Sequence, residues 1–111
     1  MLSNKTVAVA LFGMLMSATA SAGDITVAQN NKSFKLDGNK IEHLTIKAGD
    51  TVHFKNEDPF FHNIFSLSDL KTFDLGSYPA GQEKSVIFDS PGEAEIECAI
   101  HPEMYMVIEV K

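Results

Sequence analysis

Alternation with a period of two runs through nearly the whole chain beyond residue 22, and few folds accommodate it. Leu44 and Ile46 alternate with Thr45 and Lys47, and Val52 and Phe54 alternate with Thr51, His53 and Lys55. A turn at Ala48-Gly49-Asp50 separates the two runs. Ala94, Ile96 and Cys98 alternate with Glu93, Glu95 and Glu97, and Met106, Ile108 and Val110 close the chain in the same rhythm. Successive side chains of a strand point to opposite faces, so each run offers one face to a core and the other to water. Turn signals fall between runs at Asp37-Gly38-Asn39, Asp58-Pro59, Tyr78-Pro79-Ala80-Gly81 and Ser90-Pro91-Gly92. Short strands punctuated this regularly describe an all-β sandwich or barrel, not an alternation of strands and helices. Only Leu67 to Phe73 leaves room for a single helical turn.

The first 22 residues follow another logic. Lys5 supplies a positive start, Val7 to Met16 an apolar run, and Ala20-Ser21-Ala22 a small-residue cleavage site before Gly23. This is the pattern of a secretory signal peptide, with an apolar run too short to span a bilayer as an anchor. The expectation is therefore a signal peptide over 1–22, one domain over 23–111, and export to the periplasm. Residues 23–111 carry eight lysines, no arginine and fifteen acidic residues, a formal charge of −7. Such a surface is a poor match for nucleic acid or for insertion into anionic lipid. It suits a partner with a basic docking patch, although acidity also keeps a small protein soluble.

Export makes the lone cysteine informative. An oxidising compartment favours disulfides, yet one cysteine forms none within the chain. Cys98 is then an intermolecular bridge, an inert buried thiol or a metal thiolate. Its neighbourhood, Cys98-Ala99-Ile100-His101-Pro102-Glu103-Met104, favours the last. A strand delivers Cys98 inward with Ala94 and Ile96, and the loop beyond it lets His101 and Met104 turn back toward the sulfur. Thiolate, imidazole and thioether together select copper, since hard cations want oxygen and zinc recruits more cysteine or histidine. A trigonal copper site needs a second imidazole. His62 is the best candidate, at the start of a strand-like run after Asp58-Pro59, and the Asn63 side chain is placed to tie that segment to the cysteine loop. His43 and His53 fall on polar phases and are assigned no role. Of Phe60, Phe61 and Phe65, at least one is expected to pack in the core.

The pair His62-Asn63, followed by Cys-x2-His-x2-Met, resembles the type 1 (blue) copper proteins, the cupredoxins of the plastocyanin and azurin superfamily. The short loop and the His101-Pro102 step are most similar to amicyanin, and the resemblance spans about Ala48 to Val110. It implies a Greek-key sandwich holding one type 1 copper ion, with His62, Cys98 and His101 in the trigonal plane and Met104 as weak axial ligand. Plastocyanin itself has four residues between loop histidine and methionine, a spacing that Met106 satisfies. Aligning the last strand favours Met104 and sets Met106 where the family has a glycine, so both stay in view.

The resemblance further implies a monomeric electron carrier, not an enzyme. Its partners would be redox proteins such as a c-type cytochrome or a periplasmic dehydrogenase, docking on an apolar patch of Ile100 and Pro102 with Pro59 and Phe60. The alternatives are a periplasmic protein for copper delivery or resistance and a metal-free interaction domain of the same fold.

Overall fold

Every alternating run becomes a strand. The computed structural model describes residues 22–111; the segment read as a signal peptide lies outside the described residues, Ala22 apart. The strands are β1 (Asp24–Asn30), β2 (Ser33–Leu36), β3 (Asn39–Lys40), β4 (His43–Ile46), β5 (Asp50–Asn56), β6 (His62–Ser66), β7 (Phe73–Tyr78), β8 (Glu83–Phe88), β9 (Gly92–Cys98) and β10 (Tyr105–Val110). They form two five-stranded sheets, ordered β3-β2-β1-β5-β8 and β4-β10-β9-β6-β7. This is the all-β sandwich the alternation demands. No helix occurs among the described residues; where one helical turn was expected, Lys71 N–H donates to Ser68 C=O in a simple turn before β7.

The inward residues of the two sheets build the core. Val27, Phe34, Val52, Phe54, Val86 and Phe88 of the first sheet meet Leu44, Ile46, Ile64, Ala94, Ile96, Met106, Ile108 and Val110 of the second. Withdrawing each large apolar side chain from water contributes roughly 1.5–3 kcal/mol. Phe60, Phe61 and Phe65 are absent from this core, contrary to expectation. In β6 the inward positions belong to His62, Ile64 and Ser66, which leaves Phe65 on the outer side. Phe61 is exposed in the loop before the strand.

Two connections outside the alternation are each pinned by a buried carboxylate. The β1–β2 hairpin turns through Asn31 and Lys32, with φ of 55° and 56°. Asparagine tolerates this left-handed region, whereas lysine enters it at a cost. Both N–H groups are caught by one side chain, Asn31 donating to Asp58 Oδ1 at 2.6 Å and Lys32 to Oδ2 at 3.0 Å. At the other end β1 runs parallel to β5. There Gly23 N–H donates to Oδ1 of Asp50 at 2.8 Å, and Lys47 N–H donates to Oδ2 at 2.9 Å. The Lys47 and Gly23 hydrogen bonds hold the Asp50 carboxyl below the usual carboxylate range.

Outer faces differ in character. Glu93, Glu95, Glu97 and Glu109 line β9 and β10, with Tyr105 paired across from Glu97. His43 lies there beside Glu109, at 3.6 Å, and is exposed as its polar phase foretells. His53 also faces outward but is far from free. Its Nε2 lies 2.8 Å from Asp24, and its Nδ1 lies 2.6 Å from Ser85 Oγ and 3.3 Å from Glu83, so it joins β1, β5 and β8.

Candidate metal centre

Three remote segments meet at one end of the sandwich because β6 begins where β9 ends. Ile64 pairs with Cys98 in the antiparallel register, which sets His62 and Asn63 beside the cysteine loop. Cys98 takes the inward phase of Ala94 and Ile96 and is 2% exposed. Asn63 N–H donates to its Sγ at 3.4 Å, and Asn63 C=O accepts Ala99 N–H at 2.9 Å. The segments are thus tied by the backbone of Asn63 and not, as anticipated, by its side chain. That amide points to the outer face and donates to Asp74 Oδ1 at 2.8 Å. Strand alternation forces the exchange, since His62 inward puts Asn63 outward.

His62 is wholly buried. Its Nε2–H donates to Asp58 Oδ2 at 2.8 Å, while its Nδ1 lies 3.6 Å from Cys98 Sγ. Burial raises the Asp58 carboxyl, but hydrogen bonds from Lys32, His62 and Asn31 outweigh it and hold the group below the usual carboxylate range. An ionised carboxylate only accepts, so the His62 proton sits on Nε2 and the Nδ1 lone pair faces the sulfur. Burial pushes His62 below the ordinary imidazole range; Asp58 pulls it back by hydrogen bond and charge, and His101 adds to the downward push. The fold therefore favours a neutral ring, the form that ligates metals.

Sequence reasoning missed Asp58, reading Asp58-Pro59 only as a turn. It also missed Asn56, the buried residue that shapes the loop. Asn56 Nδ2 donates to the carbonyls of Phe60 and Tyr78, at 2.7 and 3.1 Å, while its Oδ1 accepts Asp58 N–H at 2.9 Å. The signal available was the polar Asn56 closing a strand whose apolar positions all point inward.

The loop from β9 to β10 carries the remaining residues. His101 is half-buried, with Nδ1 3.7 Å from Cys98 Sγ. His62, Cys98 and His101 thus offer three donor atoms mutually within 4.8 Å. A first-row ion bonded at about 2.0–2.1 Å to nitrogen and about 2.3 Å to sulfur, at angles of about 110–120°, holds each nitrogen roughly 3.6–3.8 Å from the sulfur. The donor set therefore fits a metal of copper type, and two imidazoles with one thiolate is the set of blue-copper sites. Met104 N–H donates to His101 C=O at 2.9 Å, closing the loop, and its side chain is 1% exposed. Tyr105 pairs with Glu97, so continuing the register one step sets Met104 opposite Cys98. Met106 pairs with Ile96 in the core, one pleat farther away.

Residues 22–111 match the model of the copper-binding proteins of the plastocyanin/azurin family. The chain belongs to that family. Among solved structures, this plastocyanin/azurin-family chain is similar to a Cu(I) form of an amicyanin mutant, with 22% identity and a TM-score of 0.67 over 85% of this chain and 87% of that one. It is similar also to a reduced amicyanin mutant, with 24% identity and a TM-score of 0.68 over 85% and 88% of the two chains. At these identities the likeness establishes a shared sandwich fold, cupredoxin in type and amicyanin-like. No curated protein sequence matches the chain. The family is one of copper-binding proteins, and His62, Cys98 and His101 form a donor cluster able to hold a metal ion.

Proposed function

We propose that the protein is an exported, periplasmic carrier of single electrons that uses one type 1 copper ion. His62, Cys98 and His101 would hold the ion, with Met104 as a further, weaker sulfur ligand. One observation carries the reading: two imidazole Nδ1 atoms converge on one buried sulfur, at 3.6 and 3.7 Å. A bound copper ion supplies one-electron exchange between Cu(II) and Cu(I).

The residues of the chain do the rest. Asn63 N–H steadies negative charge on the Cys98 sulfur, and Asp58 fixes the tautomer and tilt of His62. A sandwich that holds His62 and Cys98 at strand ends would limit the movement of these two ligands. His62 is sealed from water, whereas His101 is half-buried between Ile100, which is 48% exposed, and the exposed Pro102, with the Phe60 ring 5.1 Å away and Pro59 exposed just before it. We assign this apolar rim to the docking of a redox protein such as a c-type cytochrome or a periplasmic dehydrogenase, with the protein acting as a monomer.

Adding Cu(II) to the purified protein tests the reading. An intense visible thiolate-to-copper band that disappears in Cys98→Ser supports it, and a colourless product ends it. Rapid surrender of Cu(I) to a chelator would instead favour copper delivery or resistance.

A further inference from the structure

The two imidazoles of the site are steadied by unlike means. His62 is wholly buried and its Nε2–H is fixed by Asp58. His101 is half-buried on a loop, and among the described residues no hydrogen-bond partner stands at its Nε2. Rings surround it instead. Phe60 lies 5.1 Å from the His101 centroid at 53°, and 5.5 Å from His62 at 59°, so one phenyl ring covers both imidazoles. These are the separations and tilts at which aromatic pairs attract. Against Phe60 rests the Lys32 ammonium, 5.7 Å from the ring centroid, within the range of cation–π attraction. Lys32 is placed by the left-handed hairpin turn whose N–H groups Asp58 holds.

We infer that Phe60 is the positioning residue of His101, doing through ring contact what Asp58 does for His62 through a hydrogen bond, and that Lys32 holds Phe60 in turn. Asp58 then stands at the head of both routes. It reaches His62 directly, and it reaches His101 through the hairpin turn, Lys32 and Phe60. This explains a lysine at a turn position that glycine fills more easily. It also explains an aromatic residue in this loop that contributes nothing to the core. The inference rests on His101 being a copper ligand.

The test compares Phe60→Leu, which keeps apolar bulk but loses the ring, with Phe60→Tyr, which keeps the ring. Phe60→Met serves the same comparison if the leucine variant does not fold. In NMR spectra of the copper-free protein, the His101 ring protons should move as the Phe60 ring current disappears in Phe60→Leu, and stay in Phe60→Tyr. In the reduced copper form, Cu(I) release to bicinchoninate should quicken by about three- to tenfold in Phe60→Leu, the worth of one aromatic contact, and recover in Phe60→Tyr. Unchanged His101 resonances and unchanged release in Phe60→Leu would overturn the inference, as would a tyrosine variant that behaves like leucine. His101→Ala separates the two levels. If it binds copper as tightly as the parent, the ligand assignment itself falls; if it loses copper while Phe60→Leu changes nothing, only the role of Phe60 falls.

Discussion

Asp58 Oδ2 lies 2.8 Å from His62 Nε2, and both side chains are almost wholly withdrawn from water. The same carboxylate takes the N–H groups of Asn31 and Lys32, so three donors share two oxygens. A metal ligand, a hairpin turn and the loop before β6 are thereby fastened at one point. The arrangement is the carboxylate–histidine pairing common behind metal sites, here with a second duty in the fold.

Replacing that carboxylate should cost the fold and the metal together. Asp58→Ala leaves three donors without an acceptor, so the copper-free protein should lose about 3 kcal/mol or more of stability in denaturant titrations. Asp58→Asn keeps one acceptor oxygen and should lose less. Both should bind copper about 10- to 100-fold more weakly in chelator competition. Affinity equal to the parent in both would show that His62 needs no such anchor.

Melting of the copper-free protein should fall in two stages as pH drops. His62 has a folded pKa below its unfolded value near 6.5, so its contribution is complete above about pH 6.5 and is lost as pH falls through the lower folded value. Asp58 is likewise depressed, so its contribution is present above about pH 3.9 and is lost below it. In Asp58→Asn the lower stage should shrink, with the depressed carboxyl of Asp50 still contributing to it, and the upper one deepen, because nothing then pulls His62 back up. Melting temperatures recorded from about pH 3 to 8 check both signs.

The axial assignment separates the two late methionines. Met104→Leu should change the reduction potential and the visible spectrum while leaving the fold intact. Met106→Leu is a near volume-conserving core change that should cost under about 1.5 kcal/mol and leave the spectrum as it was. The reverse pattern would hand the axial position to Met106.

Ile100→Glu places a charge on the apolar rim around His101 without touching a donor atom. The spectrum should not change, but electron self-exchange, which brings two such rims together, should slow by at least about tenfold at low salt and recover partly at high salt. Undiminished exchange would move the docking surface elsewhere.

Chemistry that depends on residue type was legible in the sequence. Cys98, His62 and His101 are scarce residues of specific affinity, in an order and at spacings that few other purposes require. The strands were legible because alternation is a property of neighbours. What escaped was set by residues far apart. Asp58 reads as an ordinary turn aspartate until the Asn31–Lys32 hairpin, more than twenty-five residues upstream, folds over it. The Asn63 side chain was assigned the wrong partner because His62, Ile64 and Ser66 take the inner face of β6, which turns Asn63 outward. The bridging role of His53 needs β1 and β8 to flank β5, a parallel and an antiparallel pairing that no local pattern announces.

If export is completed by a cut before Gly23, the Gly23 to Asp50 contact couples that cut to the stability of the fold. Within an uncut chain Gly23 offers Asp50 one uncharged amide hydrogen. A cut before Gly23 would turn that nitrogen into an ammonium facing a buried carboxylate. The precursor would then be the looser form, suited to threading across a membrane, and cleavage would tighten the fold behind it. A chain beginning at Gly23 should melt higher than one retaining Ser21-Ala22, and Asp50→Asn should erase the difference. Equal melting of the two chains at neutral pH would dissolve the link between processing and stability.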